Sequence, residues 1–183
     1  MIQATSCPLA WYRSLALQLL AIGLAGVAGC TCRYSFSQSS LPSHIKTVAV
    51  PVFDNETVEP GLQQEVTEAV SREFLNDSTL RIVPENEANS AIYGVVTRYV
   101  NQVFGYNADE QTEEYEVMLE LSVEFKDLVK RKTRWKDEHL IGRTTYFVVE
   151  TSGQEAQDEV SGRTEAIVRL AKDILNRTVR NWN

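Results

Sequence analysis

Six basic side chains crowd into residues 126 to 136, and they form the densest run of positive charge in the sequence: Lys126, Lys130, Arg131, Lys132, Arg134 and Lys136. Ammonium and guanidinium groups attract phosphates, and one guanidinium can bind two phosphate oxygens at once. Trp135, inside the run, could rest at an interface or pack on a sugar. The cluster is therefore either an anion-binding site or a solvated turn whose charges discourage edge-to-edge aggregation.

The other residue type with covalent chemistry is cysteine, and it is confined to the start of the chain. The three cysteines are Cys7, Cys30 and Cys32, so the 151 residues that follow contain none. A disulfide framework for the folded part is thereby excluded. What the cysteines do must be read from the residues around them.

The residues before Cys30 have the pattern of a targeting segment. Arg13 is the only charged residue in this stretch, and an apolar run follows from Leu15 to Val27. That run is shorter than the ~20 residues that a membrane-spanning helix needs. The small residues Ala28 and Gly29 then give a peptidase access to the backbone. We therefore predict a signal peptide over residues 1–29 that is removed from the mature protein.

The stretch Val27-Ala28-Gly29-Cys30 resembles the bacterial lipobox, in which an aliphatic residue and two small residues precede an acylated cysteine. We predict that Cys30 is lipidated, with a diacylglyceryl group and an N-acyl chain. The residues before Cys32 fit the same pattern badly. An ordinary secretory leader followed by a chance cysteine is the alternative. With Cys30 acylated, Cys32 is either a bystander beside the lipid or a thiol that is capped or paired with a partner.

The residue after Cys30 and the overall charge bear on location. Thr31 is not the aspartate that retains lipoproteins at the inner membrane in enteric bacteria, so the resemblance predicts the outer membrane, facing the periplasm. The formal net charge is −7 for the full chain. Removal of Arg13 with the leader leaves 17 basic and 25 acidic residues, a balance of −8. This acidic balance argues against nonspecific nucleic-acid binding.

Catalytic and metal chemistry have little support in the sequence. Asp54 and Glu56 stand two residues apart in a predicted loop, where solvated acids are the simplest interpretation. The two histidines, His44 and His139, are far apart in the chain. We predict no catalytic residues, no metal site and no cofactor other than the covalent lipid on Cys30. The chain is therefore not expected to be an enzyme.

Hydrophobic spacing predicts the elements that must position these residues. Residues 30–44 are a serine-rich lipidated tether, and residues 45–183 form a single domain. Strands are predicted at 45–53, then at 79–83, 91–100, 115–125 and 133–149. Because Pro51 lacks an amide donor, the first of these is either an edge strand or irregular at that point. The last two strands form a hairpin that carries the basic cluster at its tip, with a bulge near Gly142.

Two amphipathic helices complete the prediction. The first runs from Leu62 to Leu75, and both of these residues are assigned to its apolar face. The second opens at a Ser152–Glu155 capping box and is ~25–30 residues long, with Val160 on its apolar stripe and Gly162 as a weak point. The expected fold is an α/β (α+β) two-layer sandwich: a mostly antiparallel sheet of four to five strands, covered on one face by two helices.

The order of these segments resembles the lipopolysaccharide-assembly outer-membrane lipoproteins, the LptE-like family. The matching pieces are the lipobox cysteine, "YSF", "LPSHIKTVAVPVFDNETVEPGLQQEVTEAV", "REFLNDSTLRIV" and "ILNRTVRNW". One departure is "CTCRYSF", where the family more often has a cysteine, a glycine and then a tyrosine. The resemblance covers nearly all of residues 30–183.

The resemblance implies a partner and a lipid ligand. It implies an outer-membrane lipoprotein that plugs an LptD-type β-barrel and helps to insert lipopolysaccharide into the outer leaflet. Lys130, Arg131, Lys132 and Arg134 are the candidates for binding the lipid's phosphates, and Tyr99, Phe104 and Tyr106 could contact the barrel. The alternative is a general periplasm-facing lipoprotein adaptor in a secretion or envelope complex, since "KTVAVPVFDNET" is also similar to curli-type secretion lipoproteins.

Overall fold

The computed structural model describes residues 41–106, 112–148 and 155–180. The strands are β1 (Thr47–Ala49), β2 (Asp54–Asn55), β3 (Arg81–Ile82), β4 (Ser90–Tyr106), β5 (Thr112–Asp127) and β6 (Lys132–Phe147). The helices are α1 (Leu62–Asp77) and α2 (Glu159–Val179), and a 3-10 turn spans Glu85–Glu87.

All of these strands join one mixed sheet in the order β3-β1-β4-β5-β6, with β2 also paired to β4. The pairs β4–β5 and β5–β6 are antiparallel, whereas β1 is parallel to both β3 and β4. The predicted α+β class, with a mostly antiparallel sheet and two helices packed on it, is confirmed. The sheet has six strands, more than the four to five predicted. The predicted strand at 45–53 forms only β1, Pro51 lies in the irregular segment that follows, and β2 at Asp54–Asn55 falls in the predicted loop.

The long strand β5 anchors the core because one of its faces is completely buried. Val117, Leu119, Leu121, Val123 and Phe125 have no exposed surface, as their strict alternation predicts. Full burial of one such side chain stabilises the fold by ~1.5–3 kcal/mol. This face belongs to one buried hydrophobic cluster with residues of both helices, and the opposite face of the same strand is only partly covered.

Helix α1 packs through a narrow stripe formed by Leu62, Val66, Ala69, Val70 and Phe74. The assignment of Leu75 to this stripe is wrong, because its side chain is 65% exposed. One residue is a rotation of 100° around a helix, so Leu75 lies beside the stripe once Phe74 fills it. The helix begins after Gly61, whose φ of 88° is in the left-handed region.

Helix α2 begins later than the sequence indicates. Its first residue is Glu159, and the Asp158 carboxylate caps it by accepting a hydrogen bond of 2.9 Å from the Ser161 amide. The predicted capping box is therefore wrong: Ser152 lies outside the described residues, and Glu155 precedes the helix. The helix has 21 residues, and Val160 in its first turn is exposed, contrary to prediction.

Two irregularities interrupt the pairing of β6 with β5, and both lie nearer the turn than Gly142. One is at Arg134, where pairing passes from Phe125–Trp135 to Lys126–Thr133, and the other is at Glu138–His139. Pairing passes from Leu121–Leu140 to Val123–Asp137, so the extra residue of the bulge is at Glu138–His139. On the outer edge of β6, the carbonyl of Arg143 accepts a hydrogen bond from the Arg169 guanidinium, and the carbonyl of Phe147 accepts one from the Gln157 amide. A bulge in β6 was predicted correctly, but its predicted position near Gly142 is wrong.

Two glycines let α2 approach β6 closely. A Cβ on Gly142 would lie 2.5 Å from Leu170 Cγ and 2.8 Å from the Ala166 carbonyl oxygen. A Cβ on Gly162 would lie 2.6 Å from a ring carbon of Tyr146. Gly162, predicted as a weak point, is thus also a packing requirement.

We expect Gly142→Ala to lower the free energy of unfolding by ~1–3 kcal/mol, because the helix backbone at Ala166 must move to admit the methyl group. Chemical denaturation of the two proteins measures the difference. Gly105→Ala is the matched control, since its nearest neighbour would be the flexible Glu114 carboxylate at 3.3 Å. Equal losses from both substitutions would contradict the packing role of Gly142.

Candidate functional site

The basic cluster is found where the sequence places it, at the turn between β5 and β6. Residues 128–131 form the turn, and Arg131 adopts a left-handed backbone with φ of 51°. Lys130, Arg131 and Lys132 are all exposed. None of these three forms an ion pair with a carboxylate in the part of the chain that the structure describes. Their three positive charges are accessible to a ligand at the tip of the turn.

The other three cations of the cluster are engaged within the domain. Lys126 lies 2.9 Å from the Glu124 carboxylate and 5.2 Å from the centre of the Tyr93 ring. Lys136 lies 2.6 Å from Glu138. Arg134 is half-buried beneath the turn, close enough to Asp127 to influence its titration. The available positive charge is therefore concentrated at residues 130–132.

The buried carboxylate of Asp127 holds the turn in place. One oxygen accepts a hydrogen bond of 2.9 Å from the Lys130 amide, and the other lies 2.7 Å from His44 Nε2. The Leu128 amide donates to the Asn89 carbonyl at 2.9 Å. The side chain of Asp127 has no exposed surface. A buried charge held from both sides gives the turn a defined shape.

The pKa of Asp127 reflects this balance. Burial by itself would raise the pKa, because it disfavours the charged carboxylate. The hydrogen bond from the Lys130 amide, the contact with His44 and the positive charge of Arg134 outweigh burial, and the pKa of Asp127 is lowered. The carboxylate is thus charged at neutral pH and binds its partners as an anion.

His44 also marks where the N-terminal segment joins the domain. The Ile45 amide donates to the Pro42 carbonyl, and Thr47 exchanges hydrogen bonds with Asn89 at the start of β4. The chain therefore enters the fold directly beside the basic turn. The sequence analysis missed the contact between His44 and Asp127, which are 83 residues apart.

A cleft opens beside the turn, between β6 and the last turns of α2. Its volume is about 310 Å³, and it is lined by Trp135, Lys136, Asp173 and Arg177. Trp135 packs on Phe125 with ring centres 6.5 Å apart. Arg177 lies 2.7 Å from Asp137 and 3.0 Å from Asp173. An aromatic face bordered by charged groups can receive a sugar ring, the role considered for Trp135.

The three aromatic residues considered for a partner contact, Tyr99, Phe104 and Tyr106, have different environments. Tyr99 donates its hydroxyl to Glu159, and the Arg163 guanidinium lies 6.0 Å from its ring centre. Burial and the bond to Glu159 raise the pKa of Tyr99. Phe104 and Tyr106 are exposed at the far end of β4, away from the basic turn. Tyr99 therefore connects β4 to α2, and the other two remain available to a partner.

Of the remaining candidates, Asp54 and Glu56 are both exposed. Within residues 41–106, 112–148 and 155–180, no group of three or more His, Cys, Asp and Glu side chains could hold a metal ion. No helix in the described segments is both long and apolar enough to cross a membrane. Cys30, Cys32 and the predicted leader lie outside the described residues.

Comparison with known proteins supports the predicted resemblance. A family model described as LptE, lipopolysaccharide-assembly, matches residues 45–181. No curated protein sequence matches the chain.

Solved structures with the same fold include a PelC dodecamer from Paraburkholderia phytofirmans, with 16% identity, a TM-score of 0.50 and coverage of 79% of this chain and 96% of that one. The hypothetical protein CT253 from Chlamydia trachomatis has 13% identity and a TM-score of 0.51, over 73% of this chain and 95% of the other. At such identities the likeness shows the fold alone.

We expect Asp127→Asn to lower the free energy of unfolding at neutral pH by ~1–3 kcal/mol, because a buried charge-assisted hydrogen bond is weakened. The lowered pKa of Asp127 means that its contribution is present above the ordinary carboxyl pKa of ~4 and is lost as pH falls through its folded value. The two proteins should therefore converge in stability at acidic pH. Denaturant titrations over a pH series make the measurement.

Asp54→Asn is the control for this pH series, because Asp54 is exposed. It should change stability by less than ~0.5 kcal/mol throughout. A deficit in Asp127→Asn that stays constant down to acidic pH would contradict the assigned role of the charge.

Proposed function

Because the chain belongs to the LptE family of lipopolysaccharide-assembly proteins, we propose that it is an outer-membrane lipoprotein that forms a complex with an LptD-type β-barrel. In this complex it acts as plug and assembly factor and helps to deliver lipopolysaccharide to the outer leaflet. The observation that carries the proposal is the family match over residues 45–181, which covers all of the described residues except 41–44.

Membrane attachment follows from the lipobox at Cys30. Each buried methylene of an acyl chain contributes ~0.8 kcal/mol, and two or more chains anchor a protein stably. The covalent diacylglyceryl and N-acyl groups on Cys30 therefore hold the domain at the periplasmic side of the outer membrane or within the barrel lumen. Cys32 has no assigned role in this scheme.

Lipid capture is assigned to the basic turn. Lys130, Arg131 and Lys132 are exposed and have the charge to bind the phosphates of lipopolysaccharide, and Arg134 lies just beneath them. Trp135 and its cleft are placed to receive an adjoining sugar. Binding of this kind would keep lipopolysaccharide from aggregating during transfer, without any covalent step. The protein is accordingly proposed to be non-enzymatic.

The domain has a shape suited to filling a lumen. Its long hairpins place strands of 16 or 17 residues side by side, and at ~3.4 Å per residue they extend for ~50 Å. Phe104 and Tyr106 are exposed at the end opposite the basic turn, where they are free to contact the barrel wall. The core itself is complete without the partner.

An adaptor in a secretion or envelope complex is the second candidate. The fold of this chain is also that of a protein solved as a dodecamer, so an assembly of identical copies is available to the fold. The distinguishing property is what the protein assembles with. A plug pairs with one large barrel, and an adaptor of this type pairs with further copies of itself.

Purification from solubilised outer membranes tests the two candidates. The protein is tagged at its C-terminus, extracted in mild detergent and recovered at high salt, and its companions are identified by mass spectrometry. We expect a large β-barrel in a one-to-one ratio. Recovery alone, or as a ring of identical copies, would contradict the plug and favour the adaptor.

Reversing the three exposed cations of the turn, with Lys130→Glu, Arg131→Glu and Lys132→Glu together, should weaken binding of purified lipopolysaccharide by about tenfold or more. The thermal midpoint should stay unchanged, since none of the three side chains is buried. Equilibrium binding with labelled lipopolysaccharide measures the effect.

A matched control reverses three other exposed cations, Arg98, Arg143 and Lys172, which lie on β4, β6 and α2. It makes the same change in net charge at a distance from the turn. Equal weakening by the two triple variants would assign the effect to overall charge and remove the turn as the lipopolysaccharide site.

A further inference from the structure

We propose that the β5–β6 turn docks on anionic phospholipid headgroups of the leaflet in which the acyl chains of Cys30 are inserted. The turn would then be a second membrane contact that fixes the orientation of the whole domain. This inference rests on the proposed acylation of Cys30. It does not depend on binding of lipopolysaccharide or of a barrel.

The first observation is where the chain enters the domain. The segment Pro42–Ile45 leads into β1, and His44 contacts Asp127 at the base of the turn. Cys30 precedes Leu41 by 11 residues, which span at most ~40 Å when fully extended. An anchor on Cys30 therefore connects to the end of the domain that presents the turn, and the far hairpin end at Tyr106 is the more distant one.

The second observation is the composition of the tip. Val129 is 60% exposed and is followed directly by the exposed cations Lys130, Arg131 and Lys132. An apolar side chain among cations suits the boundary of a bilayer, where the cations meet phosphates and the apolar group meets the acyl region.

The third observation is how charge is distributed. The full chain has a net charge of −7, so an anionic leaflet repels the chain as a whole. Lys126 and Lys136 are paired with Glu124 and Glu138 and contribute little at a distance. Lys130, Arg131 and Lys132 are adjacent and exposed, so an anionic surface would attract this end of the domain.

The fourth observation is that the turn is rigid before it meets a surface. Asp127 holds the Lys130 amide, and Asn89 holds the Leu128 amide. Because the backbone is already ordered, docking does not require the turn to fold first. The same contacts fix the angle between the turn and β5, so contact at the tip orients the long hairpin.

The test uses the full-length acylated protein with Cys32→Ser and Val129→Cys, labelled at position 129 with a fluorophore sensitive to polarity. The protein is reconstituted in vesicles of phosphatidylethanolamine alone or with phosphatidylglycerol, without lipopolysaccharide. We expect a blue shift and quenching by headgroup-attached quencher only when phosphatidylglycerol is present. Added salt should reverse both, because screening weakens the attraction.

Two controls define the site. A label at position 58, where Val58 is fully exposed in the loop before α1, should report no change in either vesicle. Combining the label at position 129 with Lys130→Glu, Arg131→Glu and Lys132→Glu should abolish the shift, whereas reversal of Arg98, Arg143 and Lys172 should leave it. Circular dichroism of each variant checks that it is folded.

Three results would overturn the proposal: identical emission in both vesicles, a shift that survives the reversal of residues 130–132, or a shift that requires added lipopolysaccharide. The last result would leave the proposed lipopolysaccharide site intact and exclude docking on phospholipid. Intact mass reports acylation of Cys30 independently, and purification from membranes reports the barrel. Failure of the docking proposal is therefore distinguishable from failure of the proposed function.

Discussion

The constraint on which this domain depends is that its long antiparallel sheet has one dry face. Five consecutive inward positions of β5, from Val117 to Phe125, have no exposed surface. Both helices bury their apolar stripes against that face of the sheet. Gly142 and Gly162 then set how closely α2 approaches. The basic turn joins β5 to β6 just beyond Phe125, the last hydrophobic residue of this buried row.

Prediction from the sequence was correct where one hydrophobic period dominates a segment. The alternation in β5 and the stripe of α1 identified the core, and the density of charge after β5 identified the turn. Prediction was wrong where two neighbouring residues or groups of residues fit the same structural role. Ser152 and Glu155 have the spacing of a cap, but Asp158 makes the hydrogen bond to Ser161 and begins the helix. Leu75 is apolar and adjacent to Phe74, yet the stripe has room for only one of them.

Pairwise contacts between distant residues were beyond the sequence. Nothing local to His44 or to Asp127 indicates that they meet, because an aspartate at a strand end normally reads as part of a solvated turn. Only the register of β4 against β5 brings Ser90 opposite Asp127, and only the parallel pairing of β1 with β4 brings the entering chain beside them. The candidate site was thus predictable in its composition, whereas the contact that holds it was not.

The bulge in β6 has a consequence for the protein before it meets any partner. β6 is an edge strand, and a long edge of unpaired backbone groups invites pairing with another chain. The extra residue at Glu138–His139 breaks the regular spacing of those groups, and helix-side donors already occupy the carbonyls of Arg143 and Phe147. A second copy pairing with β6 would meet a bulged strand in which two carbonyls already accept hydrogen bonds. The bulge and the occupied carbonyls thus disfavour strand-to-strand pairing of two copies along β6.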